Sequence, residues 1–136
     1  MKKSMEFFNK RARDIWKNKI ITSCEKIPEV KQGKCKYNFQ CHRNAIHEAI
    51  NNKDDKLAIV FYIDWDDAIL HYINYTNWEY IDNTLWFWSK FNDFYFYKWL
   101  NKEDFGIEWL ELFSLIREEF RLMIPSYYRY FVNETI

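Results

Sequence analysis

Apolar residues fall at Phe8, Ala12, Ile15, Trp16 and Ile20, the spacing of one helix face, so residues 5 to 20 read as an amphipathic helix. Ser4 stands where a side-chain oxygen can cap its first amides. Across "CEKIPEVKQGKCKYN", residues 24 to 38, no period is sustained. Pro28 and Gly33 punctuate that run, which reads as irregular chain. Asn38 suits the N-cap of a second helix, Phe39 to Asn51, whose apolar arc is Ala45, Ile46, Ala49 and Ile50. Cys41 lies at the edge of that arc, in the first turn.

Beyond the turn "NNKDDK" the period changes. "LAIVFYI", a turn at residues 64 to 67, and "AILHYINYTNWEYIDNTL" (68 to 85) make three consecutive strands of an antiparallel meander. Residues 86 to 100, "WFWSKFNDFYFYKWL", fit strand and helix equally. A last helix is expected from a cap at Asn101, with Glu103 and Asp104 in its first turn. Its stripe is Trp109, Phe113, Ile116, Phe120 and Met123, and Pro125 stops it. No repeat, low-complexity tract or composition break marks a linker, and 136 residues can bury their apolar surface in one core. Residues 1 to 136 are therefore taken as a single domain. N-terminal helices, a small central antiparallel sheet and a C-terminal helix make an α+β fold.

Composition narrows the functional classes. A hydrophobic share of 49%, with 21% aromatic residues, supplies the burial that a folded core needs. The 20 basic and 20 acidic residues cancel, so no overall field gathers nucleic acid or an anionic membrane, and neither is expected as a partner. The basic residues of the first helix read as its wet face rather than as a phosphate-binding arm. "LAIVFYI", the longest apolar run, is far short of the roughly 20 residues a membrane helix requires. Three cysteines, an odd number, and an N-terminus without the apolar centre of a signal peptide point to a reducing cytoplasm. Abundant Lys, Asn, Ile, Tyr and Phe beside two Gly and two Pro are the bias of AT-rich genomes such as those of many phages. The compartment would then be a host cell's cytoplasm.

The hairpin of residues 68 to 85 holds two ionisable groups among its rings, His71 and Asp82. With residues 76 and 77 as the loop, position 75 faces 78 and His71 lies directly opposite Asp82, their Cβ atoms roughly 4.5–5.5 Å apart. Their face would also carry Ile73, Tyr75, Trp78 and Tyr80, with Leu70, Tyr72, Asn74, Glu79 and Ile81 on the other. Thr76 resists such a turn, because β-branched residues avoid positive φ. A three-residue loop would set His71 opposite Asn83 instead. Taken alone, the pair reads first as a structural bridge at a sheet edge; the rival reading is the orienting half of a triad, where a carboxylate fixes the imidazole's tautomer and stabilises its charge.

Cys41 supplies the third group. Amide dipoles at a helix N-terminus and a nearby imidazolium both favour the thiolate, which is the reactive form. The arc of the second helix must pack on something, and the face bearing Ile73 and Tyr80 would bring Cys41 towards His71. In chain order, "QCHRNAIHEAI", "ILHYIN" and "WEYIDNT" resemble the helix-borne Cys, strand-borne His and next-strand Asp of transglutaminase-like and papain-like cysteine enzymes. The first segment also looks like small uncharacterised phage proteins with a Cys-His-x-Asn-Ala helix start. The resemblance covers residues 33 to 85.

What it implies is a papain- or transglutaminase-like core with Cys41 as nucleophile, His71 as base and Asp82 as orienting carboxylate. An oxyanion would be held by the Cys41 amide with Gln40 or Gln32. The implied chemistry is thiolate attack on an amide or ester carbonyl of a protein or small molecule, giving an acyl-enzyme that water or an amine resolves, with no cofactor. The Gly that often stands two residues before the nucleophile is found before Cys35, as "GKC", so Cys35 is a rival to Cys41. The alternative class is a non-enzymatic, phage-encoded protein that binds a host factor through exposed rings.

Other constellations are poorer. Around Cys35, Cys41, His42, His47 and His71, a Cys-x5-Cys spacing exceeds the two to four residues usual between zinc ligands, and no metal is expected. His42 reads as a hydrogen-bonded core residue, His47 as solvated and Cys24 as an inert thiol. Asp64, Asp66 and Asp67 around Trp65 lack the Gly and distal Glu of a calcium loop and read as an Asp-rich turn. The rings of residues 86 to 99 lack the interleaved basic residues of a base-stacking platform, leaving core or partner-binding surface.

Overall fold

A computed structural model describes residues 2–34, 40–65, 67–85, 92–122 and 125–126. The first helix, α1 (Lys2–Ser23), outruns its apolar period, and Ser4 lies inside it rather than capping it. Ala12, Trp16 and Ile20 are buried along one face, as their spacing requires.

The segment expected to be irregular instead forms two strands, β1 (Glu25–Ile27) and β2 (Val30–Gln32), on either side of Pro28 and Glu29. Three residues are too few to display alternation, and both strands are set by partners distant in sequence. The second helix, α2 (Cys41–Asn51), has Gln40 as its N-cap rather than Asn38, which with Phe39 lies outside the described residues. Ala45 and Ala49 are buried, but Ile50 of the expected arc is exposed.

The meander is present as β3 (Lys56–Asp64), β4 (Asp67–Thr76) and β5 (Glu79–Asp82). Residues left open by periodicity include a further strand, β6 (Asp93–Leu100). The six strands form one sheet in the order β1-β6-β3-β4-β5-β2. It is mixed rather than antiparallel, because β2 runs parallel to β5. Its two edge strands are neighbours in the chain, separated only by Pro28 and Glu29, so the sheet must curl until its edges share that corner. Ile27 and Val30, one from each edge, accordingly join Ala58, Val60, Ile73 and Phe94 in a single cluster inside the curl.

The outer face of the sheet is covered by helices. Ala12, Trp16, Ile20 and Ala45 pack there with Leu57, Ile59, Phe61, Leu70 and Tyr72. Each fully buried large side chain among them contributes about 1.5–3 kcal/mol. The helix expected from Asn101 is in two pieces, a 3-10 turn at Lys102–Asp104 and then α3 (Trp109–Arg121), which ends ahead of Pro125. Among its described side chains Leu112 and Ile116 are buried, with Phe113 half-buried beside them; the side chains of Trp109 and Phe120, and Met123, lie outside the described residues. Among the described residues, no helix is long and apolar enough to cross a membrane.

Candidate functional site

The hairpin loop sits one residue further along than expected. Asn77 and Trp78 have φ of 51° and 67°, the two positive values of a type I′ turn, and Thr76 pairs with Glu79. Thr76 thereby escapes the conformation it resists, and Tyr75 faces Tyr80 instead of Trp78. Continuing that register puts Asp82 beside Ile73 and diagonal to His71, not directly opposite it. The shift is an even number of residues, so His71 and Asp82 still share a face.

Their side chains span the diagonal. His71 Nε2 lies 2.7 Å from Asp82 Oδ2, with side-chain exposures of 4% and 0%, so water does not compete for either group. The other carboxylate oxygen, Oδ1, accepts from the amides of Thr84 (2.8 Å) and Leu85 (3.0 Å). The Asp82 carbonyl accepts from the Gly33 amide at 2.7 Å. A Cβ at Gly33 would overlap Asn83 Oδ1 and crowd Ile81 Cγ2, so only glycine fits there. Tyr62 sets its ring edge-on to His71 at 5.3 Å, and Phe94 closes another side at 6.4 Å.

Cys41 opens α2, but the helix does not pack on the face bearing Ile73 and Tyr80. It lies on the opposite face, where Asn74 Nδ2 donates to the Ala45 carbonyl at 2.8 Å and Ala45 packs with Leu70 and Tyr72. The Cys41 side chain nevertheless comes near enough to His71 for a charge on the sulfur to bear on the ring. Among the described residues β5 pairs with β4 only at Asn74, Tyr75 and Thr76, so the edge of β4 at His71 and Tyr72 carries no strand on that side. The Cys41 charge bears on Tyr72, which faces α2, and on His71 and Tyr62, which face the interior of the curl. That open edge lies between the two faces. With Nε2 committed to Asp82, Nδ1 is the nitrogen left for the sulfur.

Burial alone would push the His71 pKa down. The negative charge of Asp82, a charge on Cys41 and the hydrogen bond to Asp82 outweigh that cost and raise it to about 10. For Asp82 burial acts to raise the pKa, but His71 and the amides of Leu85 and Thr84 hold it below the usual carboxylate range. Burial, with Asp64, Cys41 and Asp82 nearby, lifts Tyr62 to about 12, so its phenol stays protonated.

The remaining sequence candidates are dispersed. Cys35, the rival nucleophile, lies outside the described residues, as does Asp66. Gln32 is in register with Asp82 in the parallel pair, while the Gln40 side chain makes no capping bond to α2. His42 departs from expectation: its Nε2 is buried without a hydrogen-bond partner among the described residues, and its ring meets Tyr72 edge-on at 5.1 Å. His47 is exposed, and burial pushes the Cys24 thiol up to about 11. Asp64 and Asp67 pair as the last rung of β3 and β4. Among the described residues, no group of His, Cys, Asp and Glu is arranged to hold a metal ion.

Sequence reasoning missed the polar residues that tie these elements together. Asn44, Asn74, Asn83 and Thr84 are all buried in otherwise apolar surroundings. Their one signal in the sequence was amide and hydroxyl side chains next to Asp82 and within a turn of Cys41. No protein-family model matches the chain, and neither a curated protein nor a solved structure matches it.

Proposed function

We propose that the chain is a cysteine-dependent hydrolase or acyl transferase, of peptidase, deamidase or transglutaminase type, with a Cys41-His71-Asp82 triad. One observation carries this reading: Cys41, at the head of α2, bears electrostatically on a buried imidazole whose Nε2 is 2.7 Å from a fully buried carboxylate. The order of a helix-borne Cys, a His on a strand and an Asp on the next strand is that of papain- and transglutaminase-like cores. In this reading His71 takes the thiol proton, and the thiolate adds to an amide or ester carbonyl. The oxyanion forms beside the first amides of α2, which no side chain of Gln40 caps. Collapse expels the amine or alcohol, which takes the proton from His71, and water or an amine then attacks the acyl-enzyme with His71 again accepting the proton. Asp82 fixes the ring throughout and balances its positive charge.

The test is alkylation of each cysteine by iodoacetamide from pH 4 to 10, read by peptide mass spectrometry, in wild type and His71→Ala. Cys41 is expected to react fast at pH 6 and to slow at least tenfold in the variant. An equal rate in both would make the His71-Asp82 pair purely structural. A second reading, a phage-encoded protein that binds a host factor, draws on Trp65 and Trp78, exposed at 91% and 90%. Under it, Cys41→Ala leaves capture of the host factor intact while Trp65→Ala or Trp78→Ala abolishes it.

A further inference from the structure

The packing of α2 raises a mechanical question. Its body rests on one face of the sheet, while the residue that opens it must reach an imidazole belonging to the other face. Cys41 itself packs, partly buried, against the outer cluster and not the inner one. The interactions around it close into a ring. Cys41 meets His71, His71 meets Asp82, and Asp82 Oδ1 accepts from the Thr84 amide at 2.8 Å. The Thr84 hydroxyl accepts from Asn44 Nδ2 at 2.9 Å, and Asn44 stands one helical turn after Cys41. Asn44 is 1% exposed and Thr84 6%, so this link is made in the dry interior, where an unmade hydrogen bond is costly.

A second strut runs in parallel. Asn83 Nδ2 donates to Asn74 Oδ1 at 2.8 Å, and Asn74 Nδ2 donates to the Ala45 carbonyl at 2.8 Å. Asn83 in turn accepts from the Lys34 amide at 2.9 Å. The segment that follows Asp82 is therefore bound to the first turns of α2 through two independent paths, one of them made by side chains alone.

We infer that Asn44 and Thr84 are positioning residues that set the distance between the Cys41 sulfur and the His71 ring by bracing the first turn of α2 against the Asp82 turn. They touch neither substrate nor the reacting atoms. Their effect is to hold two elements in one register across an edge where no strand does so. The inference rests on the triad proposed above.

The test uses the full chain and measures iodoacetamide alkylation of Cys41 and Cys24 at pH 6 in wild type, His71→Ala, Thr84→Val, Thr84→Ser and the pair Asn44→Leu with Thr84→Val. The pair removes both partners of that hydrogen bond at once, so neither is left buried without the other, and it supplies a second variant if Thr84→Val alone does not fold. Thr84→Val and the pair are expected to slow Cys41 at least tenfold. Thr84→Ser, which keeps the hydroxyl, stays within threefold of wild type, and Cys24 keeps its rate throughout. Adding His71→Ala to the pair is expected to slow Cys41 no further, because the coupling is already lost.

A folded pair variant that alkylates at the wild-type rate overturns the brace while leaving the triad standing. So does a rise in the Cys24 rate alongside the fall at Cys41, which would mean general loosening. A Cys41 rate indifferent to His71→Ala overturns the triad, and the brace with it.

Discussion

Two histidines lie on either side of β4, His42 half-buried and His71 fully buried, and they are opposites. His42, on α2, meets Tyr72 on the outer face, where its Nε2 and the Tyr72 hydroxyl are both buried without hydrogen-bond partners among the described residues. Burial pushes its pKa below 6.5, although Glu108 pulls weakly the other way. His71, inside the curl, is buried more completely, yet its charged form is favoured. Depth does not decide between them. What decides is whether the desolvated ring finds a negative partner: Asp82 is hydrogen-bonded to His71, whereas for His42 the pull of Glu108 does not offset burial. A neutral histidine fills space, whereas a charged one held between a carboxylate and a sulfur is equipped to move a proton.

The comparison can be broken most forcefully at its carboxylate. Asp82→Ala leaves His71 buried without its partner and should cost about 3–5 kcal/mol in chemical denaturation, the penalty for an orphaned buried charge. Next in size is Gly33→Ala. The added methyl drives into Asn83 and Ile81 beside Asp82, and a loss of about 1–3 kcal/mol is expected by the same measurement.

Smaller effects separate the two rings by pH. The raised pKa of His71 gives stability that is complete below its unfolded value near 6.5 and is lost as pH climbs towards about 10. The lowered pKa of His42 works in reverse, with stability lost as pH falls below 6.5. Denaturation midpoints from pH 5 to 10 should therefore decline on both sides, and His42→Phe should flatten the acid limb and leave the alkaline one. The smallest change is Tyr72→Phe, which removes a hydroxyl with no partner among the described residues and should alter stability by less than about 1 kcal/mol, in either direction.

Much of the candidate site was legible in the sequence because period-two alternation forgives even errors of register. His71 and Asp82 were assigned a common face from a loop at 76 and 77. The true loop at Asn77 and Trp78 moves the pairing by two residues and leaves that face unchanged. The face on which α2 packs was not legible. Ile73 with Tyr80, and Leu70 with Tyr72, offer equally apolar surfaces, and the choice turns on the curl of the sheet. That curl is set by β1 and β2, three residues each, which no periodicity can reveal. The parallel pairing of β2 with β5 is likewise a tertiary outcome, fixed by Val30 entering the inner cluster and by the Gly33 amide reaching the Asp82 carbonyl. Asn44 and Thr84 read as ordinary polar residues until the fold brings them together.

The central claim is that Cys41 and Asp82 jointly keep the His71 ring charged. It is tested most directly by an NMR titration of the imidazole Cε1 resonances from pH 5 to 11, in wild type and Cys41→Ala. One ring, His71, is expected to remain protonated well above neutrality in the wild type and to titrate at lower pH once the sulfur is removed. A His71 ring that titrates at or below 6.5, or whose titration ignores Cys41→Ala, would contradict it.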